Sequence, residues 1–162
     1  MIGIDYKDIL YSFIRRTQLK EILELGCGPG GSGEAFLKAI GGGGHLWSID
    51  IQPCLAAHKR LKEFDSNWTF IQSDSLLVEW DKKVDLLYID SDHSYSHVIY
   101  ELDMFSPYTR YWILLHDTNI CPGVNEAIEE FLSTSENQWV RGNFDQTGRE
   151  GLAFLMRMGG DG

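Results

Sequence analysis

The sequence predicts an α/β fold built on a mostly parallel sheet, and three observations carry that prediction. Short apolar runs of strand length alternate with helical segments of about ten residues, the pattern of successive βαβ units. One run, at residues 22–25, stops abruptly at Gly26, Gly28, Gly30 and Gly31 before a helix begins at Ser32. Glycines packed between a strand and a helix let the backbone turn sharply while a ligand approaches closely. Finally, Glu24, Asp50, Asp74, Asp90 and Asp117 fall at or beside the carboxyl ends of the apolar runs, the edge where open α/β sheets bind ligands.

Each element follows from local patterning. Residues 4–16 place Ile9, Leu10, Phe13 and Ile14 at helical spacing, extended by Ile4 and Tyr6, and predict a helix that packs on the sheet edge or on a partner. If that stripe does not lie on its own sheet it leaves a large apolar face, so a homo-oligomer is expected. A strand at 20–25 and the glycine loop lead into a helix at 32–40, with Ala35, Phe36, Leu37 and Ile40 on one face. Of the consecutive glycines 41–44, the first suits a helix C-cap and the others predict a loose loop without chemistry. After a strand at 45–50, Pro53 is expected in the first turn of a helix reaching about residue 64, since its missing amide hydrogen costs nothing there. Ala56, Ala57, Leu61 and Phe64 supply its apolar side. A strand at 68–72 ends in Ser73, Asp74 and Ser75, and Leu76, Leu77 and Trp80 suggest a brief helical turn. The run 84–89 delivers Asp90, a helix at 95–105 stops near Pro107, and a strand at 111–115 ends in His116 and Asp117. Pro122 opens a last helix through Leu132, and strands are expected near 138–141 and 152–158.

The 162 residues, 43% of them hydrophobic, suffice for one substantial core. With no repeat, charge block or linker to divide it, the chain reads as one domain over 1–162, with 1–17 as a helical N-terminal extension. A net charge of -10 and a pI near 4.8 repel phosphate backbones and anionic lipid, so neither nucleic acid nor membrane is expected as partner. Cys27, Cys54 and Cys121 are too few and too widely spaced for a disulfide framework or a cysteine zinc site. The first residues lack the basic and apolar regions of a signal peptide, no run approaches a membrane span, and a cytoplasmic setting is expected.

The glycine loop alone leaves its ligand open. Gly26, Gly28 and Gly31 spell the dinucleotide pattern GxGxxG, with Asp50 where a ribose-binding acid belongs. A turn without ligand also fits, as does Asp74 as a loop cap. A denser constellation is Asp90-Ser91-Asp92-His93-Ser94-Tyr95, followed by His116-Asp117-Thr118-Asn119. If the strands preceding them are parallel neighbours, a divalent cation could bridge Asp90 and Asp117, two acids that otherwise repel. His116 better suits manganese, iron or zinc than magnesium, and either histidine could instead be a hydrogen-bonded structural residue.

Together, Glu24-Leu25-Gly26-Cys27-Gly28-Pro29-Gly30, Ser48-Ile49-Asp50, Tyr88-Ile89-Asp90-Ser91-Asp92-His93-Ser94-Tyr95 and Leu114-Leu115-His116-Asp117-Thr118 resemble the class I S-adenosylmethionine-dependent methyltransferases. More narrowly, they resemble the small-molecule O-methyltransferases that use a divalent metal. The resemblance covers roughly residues 20–131. It implies a Rossmann-like three-layer sandwich whose seven-stranded sheet has the order 3-2-1-4-5-7-6 with strand seven antiparallel. It further implies that Gly26, Gly28 and Gly30 admit the methionine part of S-adenosylmethionine, with Glu24 organising their loop. Asp50 would meet the ribose hydroxyls, and Asp74 with Ser75 the adenine. Asp90 and Asp117, joined by His116 and more weakly Thr118, would hold Mg²⁺ or Mn²⁺, and Asp92 or His93 would take the acceptor proton. Relatives place two carboxylates, or aspartate and asparagine, where this chain has His116 and Asp117, and they carry insertions over the acceptor that are missing here. The expected activity is methyl transfer to a hydroxyl of a small molecule. The alternatives are an NAD-dependent oxidoreductase, for which no second lobe is evident, and a non-catalytic cofactor-binding or regulatory subunit.

Overall fold

In a computed structural model describing residues 5–135, 138–144 and 149–159, the chain runs α1 (Tyr6–Thr17), β1 (Glu21–Leu25), α2 (Gly31–Ile40), β2 (His45–Asp50), α3 (Leu55–Arg60), β3 (Trp68–Gln72), β4 (Val84–Ile89), α4 (Tyr95–Phe105), β5 (Thr109–His116), α5 (Pro122–Thr134), β6 (Trp139–Asn143) and β7 (Leu152–Arg157). The strands form one sheet of order β3-β2-β1-β4-β5-β7-β6, parallel throughout except that β7 runs antiparallel to β5 and β6. This is the order and the antiparallel strand that the resemblance implied.

The central strands are uninterrupted apolar runs because both of their faces are buried. Leu23, Leu25, Leu87, Ile89, Ile113 and Leu115 project into one core, closed by Val98, Leu102 and Phe105 of α4 and Ile128 and Phe131 of α5. Their alternates Ile22, Leu86, Tyr88 and Leu114 project into a second core, closed by Leu10 and Ile14 of α1 and Phe36 and Ile40 of α2. Helices therefore cover both faces of the sheet, a three-layer sandwich. Each large side chain buried this way contributes roughly 1.5–3 kcal/mol.

The amphipathic first helix lies on its own sheet. Asp5 caps it by accepting from the Lys7 amide at 3.0 Å, and Gln18 ends it in the left-handed region at φ 58°. Leu10 and Ile14 are buried, and the Phe13 ring packs edge-on against Trp112 and Phe144 at 5.1 and 5.7 Å. The apolar face that gave reason to expect an oligomer is thus covered within the chain, and that ground for self-association falls away. Ile4 lies outside the described residues.

Other differences from the sequence reading have local causes. The helix expected to begin at Pro53 comprises only Leu55–Arg60, capped by Cys54 at φ 44°, and a 3-10 turn at Lys62–Phe64 follows it. The chain leaves α geometry at Leu61, whose buried side chain packs over Gly30 and Gly33. Gly41 is the expected C-cap, at φ 66° but with an extended ψ of -161° rather than the left-handed helical conformation, and the run after it is not merely loose. A Cβ on Gly44 would stand 2.3 Å from the Lys20 carbonyl oxygen, so the entry to β2 needs glycine. Strand β5 extends through His116, which places that ring on the sheet rather than in the loop beyond it. Among the described residues no helix is long and apolar enough to cross a membrane.

Candidate active site at the carboxyl edge of the sheet

The glycines after β1 serve three separate ends. Gly26, at φ 89°, donates its amide to the Ile49 carbonyl at 2.8 Å, and a Cβ there would meet the Asp90 carbonyl oxygen at 2.1 Å. Gly28, at φ 50°, has nothing within 4 Å of a Cβ and lines the adjoining cavity. Gly30, at φ 83°, caps α2, and a Cβ on it would stand 2.9 Å from that of Ala57. Gly30 is absent from the cavity wall; it serves the packing of α3 on α2.

Two acids hold this loop from below and from the side. Glu24 is fully buried and accepts hydrogen bonds from the hydroxyls of Ser32 and Ser48, the latter at 2.6 Å. Burial pushes its carboxyl up to about 7, an effect the two hydroxyls partly offset. It is absent from the cavity wall. Asp50 lines the cavity and accepts from the amides of Cys27, Gly28 and Gln52 at 2.9, 3.0 and 2.8 Å. Burial alone would raise its pKa; the amides of Gly28 and Gln52, the Cys54 thiol and the Cys27 amide outweigh that and keep it below the usual range.

The cavity measures ≈ 430 Å³, within the range of ligand sites. Asp50, Asp74, Asp90 and Asp92 line it, with His97, and among the described residues no lysine or arginine does. Such a wall suits a cationic ligand and opposes a pyrophosphate. Asp74 accepts from the Leu76 amide at 2.9 Å and starts the 3-10 turn Ser75–Leu77. Ser75 also lines the cavity, and its hydroxyl donates to Glu101 of α4 at 2.6 Å; Ser91 donates to the same carboxylate at 2.7 Å. His97 Nε2 lies 3.1 Å from the Ser75 hydroxyl and 3.2 Å from Glu101 Oε1. Glu101 is fully buried and ties the loops after β3 and β4 together. Sequence reasoning missed it, although its place beside Val98, Leu102 and Phe105 on the inward helical stripe was the signal.

Next to the cavity, the ends of β4 and β5 assemble Asp90, His93, His116 and Asp117. His93 Nε2 lies 3.3 Å from Asp90 Oδ1 and 3.3 Å from Asp117 Oδ2. His116 Nδ1 stands 3.4 Å from Asp90 Oδ1 and 3.1 Å from Asp117 Oδ1. The two His116 separations are of ion-pair length without hydrogen-bond geometry, and both buried ring nitrogens of His116 are left without a hydrogen-bond partner among the described residues. Asp117 adopts φ 60°, a left-handed conformation that costs a non-glycine residue about 1 kcal/mol or more and persists where packing imposes it. Donor atoms of Asp90, His116 and Asp117 all lie within 4.8 Å of one another, as do those of His93, Asp117 and Cys121. Two carboxylates and an imidazole with no hydrogen-bond partner form a donor set that fits a divalent cation.

The surroundings tune these groups. Tyr88 donates its hydroxyl to Asp90 Oδ2 at 3.2 Å, and the Tyr6 ring of α1 covers His116 at a centroid distance of 4.6 Å. Burial, followed by the Asp90 charge, pushes the Tyr6 phenol up to about 12. Burial would raise Asp90, but His116 and His93 hold it below the ordinary range. His93 is raised, chiefly by its bond to Asp90. Asp92 is exposed, and the Ser94 hydroxyl, followed by the Ser94 amide that donates to it at 2.7 Å, lowers its pKa and weakens it as a base.

A parallel seven-stranded sheet with one antiparallel strand, a glycine loop and an acid-lined cavity at its carboxyl edge define a class I S-adenosylmethionine-dependent methyltransferase. A family model described as "Methyltransferase domain" matches residues 23–118, and the chain belongs to that family. No curated protein matches the chain. Its fold is similar to that of a candidate caffeoyl-CoA O-methyltransferase from Staphylococcus aureus, with a TM-score of 0.78, 17% identity and coverage of 98% of this chain and 85% of that one. It is also similar to an O-methyltransferase from Bacillus cereus solved with SAH, with a TM-score of 0.73, 16% identity and coverage of 94% and 80%. A candidate rRNA-methylase from Clostridium thermocellum matches with a TM-score of 0.73 and 14% identity over 98% of this chain and 100% of that one. These likenesses establish the fold, and their named acceptors differ. Membership of a methyltransferase family displaces the dinucleotide reading of GxGxxG and the non-catalytic one.

Proposed function

We propose that the chain transfers the methyl group of S-adenosylmethionine to a hydroxyl oxygen of a small molecule, with Mg²⁺ or Mn²⁺ held by Asp90, His116 and Asp117. The observation that carries this reading is the buried His116 ring, without hydrogen-bond partners, beside two carboxylates at adjacent strand ends and next to the cavity. When bound, such an ion lowers the pKa of a coordinated hydroxyl and holds its oxygen in place.

The chain's own groups supply the rest. Gly28 leaves open space beside the loop for the methionine part. Asp50 lines the cavity, and its carboxylate meets the ribose hydroxyls in place of the Cys54 thiol, the one donor besides its three amides among the described residues. Asp74 keeps Oδ2 for the adenine amine, and Ser75, beside it on the cavity wall, is held in place by its bond to Glu101. Transfer of an already activated sulfonium methyl needs mainly an oxygen lone pair in line with the carbon-sulfur bond, so orientation dominates. His93, raised in pKa and within reach of both metal-binding carboxylates, is a better proton acceptor than Asp92, whose carboxylate is held by the Ser94 amide. A small acceptor agrees with a wall of carboxylates and a net charge of -10, both of which oppose nucleic acid. The free thiols of Cys27, Cys54 and Cys121 agree with a cytoplasmic setting.

The test is a titration of Mg²⁺ and Mn²⁺ into chelator-treated wild type and a D90A/D117A double variant, with S-adenosylhomocysteine present. A parallel assay with S-adenosylmethionine follows methyl transfer to phenols, catechols and sugar hydroxyls. Metal binding lost in the variant, together with metal-dependent product, is expected. Equal binding in both proteins removes the site, and methyl transfer that survives excess chelator removes the ion's catalytic role.

A further inference from the structure

The same edge of the sheet carries a second cavity, of ≈ 310 Å³, that shares no lining residue with the acid-lined one. The acid-lined cavity lies over the ends of β1, β2, β3 and β4, whereas this one is lined from the ends of β5, β6 and β7 and the first turn of α5. Along the strand order, the Asp90–Asp117 cluster stands between the two, and Thr118, which follows Asp117 directly, is part of the second wall. That wall is polar: Thr118, Asn125, Arg141 and Asn143 contribute to it. Among the described residues, Arg141 is the only lysine or arginine lining either cavity.

Its guanidinium is positioned in advance. The Asn125 side-chain amide donates to the Thr118 carbonyl, which turns Asn125 Oδ1 toward Arg141 Nη2 at 2.5 Å; Asn143 Oδ1 lies 3.4 Å from the same nitrogen. Both partners are neutral, and among the described residues no carboxylate lies within ion-pair distance of Arg141. A cation aimed into a cavity, in a chain of net charge -10, is set for an oxyanion, because its planar fork matches a carboxylate or phosphate edge. We propose that this cavity receives the acceptor and that Arg141 binds an oxyanion group on it, a carboxylate or a phosphate, with the acceptor hydroxyl directed to the Asp90–Asp117 cluster. The inference rests on the hydroxyl-methylation reading above, and adds that the acceptor is itself an anion.

The experiment compares three matched probes, 3,4-dihydroxybenzoate, 2-hydroxyphenyl phosphate and catechol, titrated calorimetrically into the full chain with S-adenosylhomocysteine and Mn²⁺ present. At least one anionic probe should bind about tenfold or more tighter than catechol, the size expected of a charge-assisted pair, and which one does so identifies the oxyanion. R141Q should bring that ratio to about one, and R141K, which keeps the charge and loses the fork, should give an intermediate value. Unchanged S-adenosylhomocysteine affinity checks that each variant is folded, and the wild-type ratio needs no variant. Equal affinities in wild type, no binding of either anion at millimolar concentration, or a preference that survives in folded R141Q overturns the proposal. Supplying S-adenosylmethionine separates the two claims. Methylated catechol without an anion preference sinks only the oxyanion site, whereas an Arg141-dependent preference with no methylated product sinks hydroxyl methylation and leaves the site standing.

Discussion

Replacing Glu24 by glutamine isolates the energetic cost of keeping a carboxyl group beneath the cofactor loop. The group is fully buried, its only hydrogen-bond partners among the described residues are the hydroxyls of Ser32 and Ser48, and its pKa is pushed from 4.5 to about 7. Between those two values the folded chain holds a proton that the unfolded chain releases. The stability contributed by the group is therefore complete below pH 4.5 and is lost as pH rises through 7. A displacement of roughly 2.5 pH units, at about 1.4 kcal/mol each, corresponds to roughly 3 kcal/mol. Glutamine keeps the shape and never ionises, so E24Q should gain roughly 3 kcal/mol relative to wild type between pH 4.5 and 8. It should also carry a pH-independent penalty of about 1 kcal/mol for a poorer fit to two hydroxyls. Urea unfolding of both proteins at half-unit pH steps measures this, because every other titrating group cancels in the difference. A difference that does not vary with pH would refute a proton held by Glu24.

Asp50→Ala removes the acceptor of three amides and should weaken S-adenosylhomocysteine binding by about 1–3 kcal/mol; a calorimetric Kd equal to wild type would take Asp50 out of the site. Glu101→Gln leaves Ser75, Ser91 and His97 competing for a weaker acceptor, and a loss of cofactor affinity of about tenfold is expected, whereas an unaltered Kd would make Glu101 a core residue only. Leu10→Ala should lower the unfolding free energy by roughly 2–5 kcal/mol without changing the mass seen by light scattering; a changed mass would mean that α1 covers a partner rather than its own sheet.

Burial on both faces made the central strands legible, since a strand with no solvent side has no polar alternation to blur it. The placement of Asp50, Asp90 and Asp117 was legible for a related reason, because an acid that ends such a run stands out against it. Glu101 was not. An acid within a helix ordinarily faces water, and its burial is made tolerable by two serines brought in from other elements and by His97 one turn earlier on α4. Tyr6 was read as part of an apolar stripe, and its place over His116 depends on how α1 crosses the sheet, which no local pattern encodes. The early end of α3 and the need for glycine at position 44 likewise depend on chain segments distant in sequence, the packing of Leu61 on Gly30 and the approach of Lys20.

The contact between Gly26 and Asp90 bears on how this scaffold could be redesigned. The Asp90 amide donates to the Leu25 carbonyl at 2.8 Å, and the Asp90 carbonyl occupies the space that a side chain on Gly26 would need. Cofactor loop and candidate metal loop are one mechanical part, so an engineer exchanging either must transplant residues 24–30 and 89–93 as a single cassette. The natural place for an insertion is elsewhere, at Gly41 and Gly42, where an added Cβ meets nothing within 4 Å and the chain can be lengthened without touching either loop.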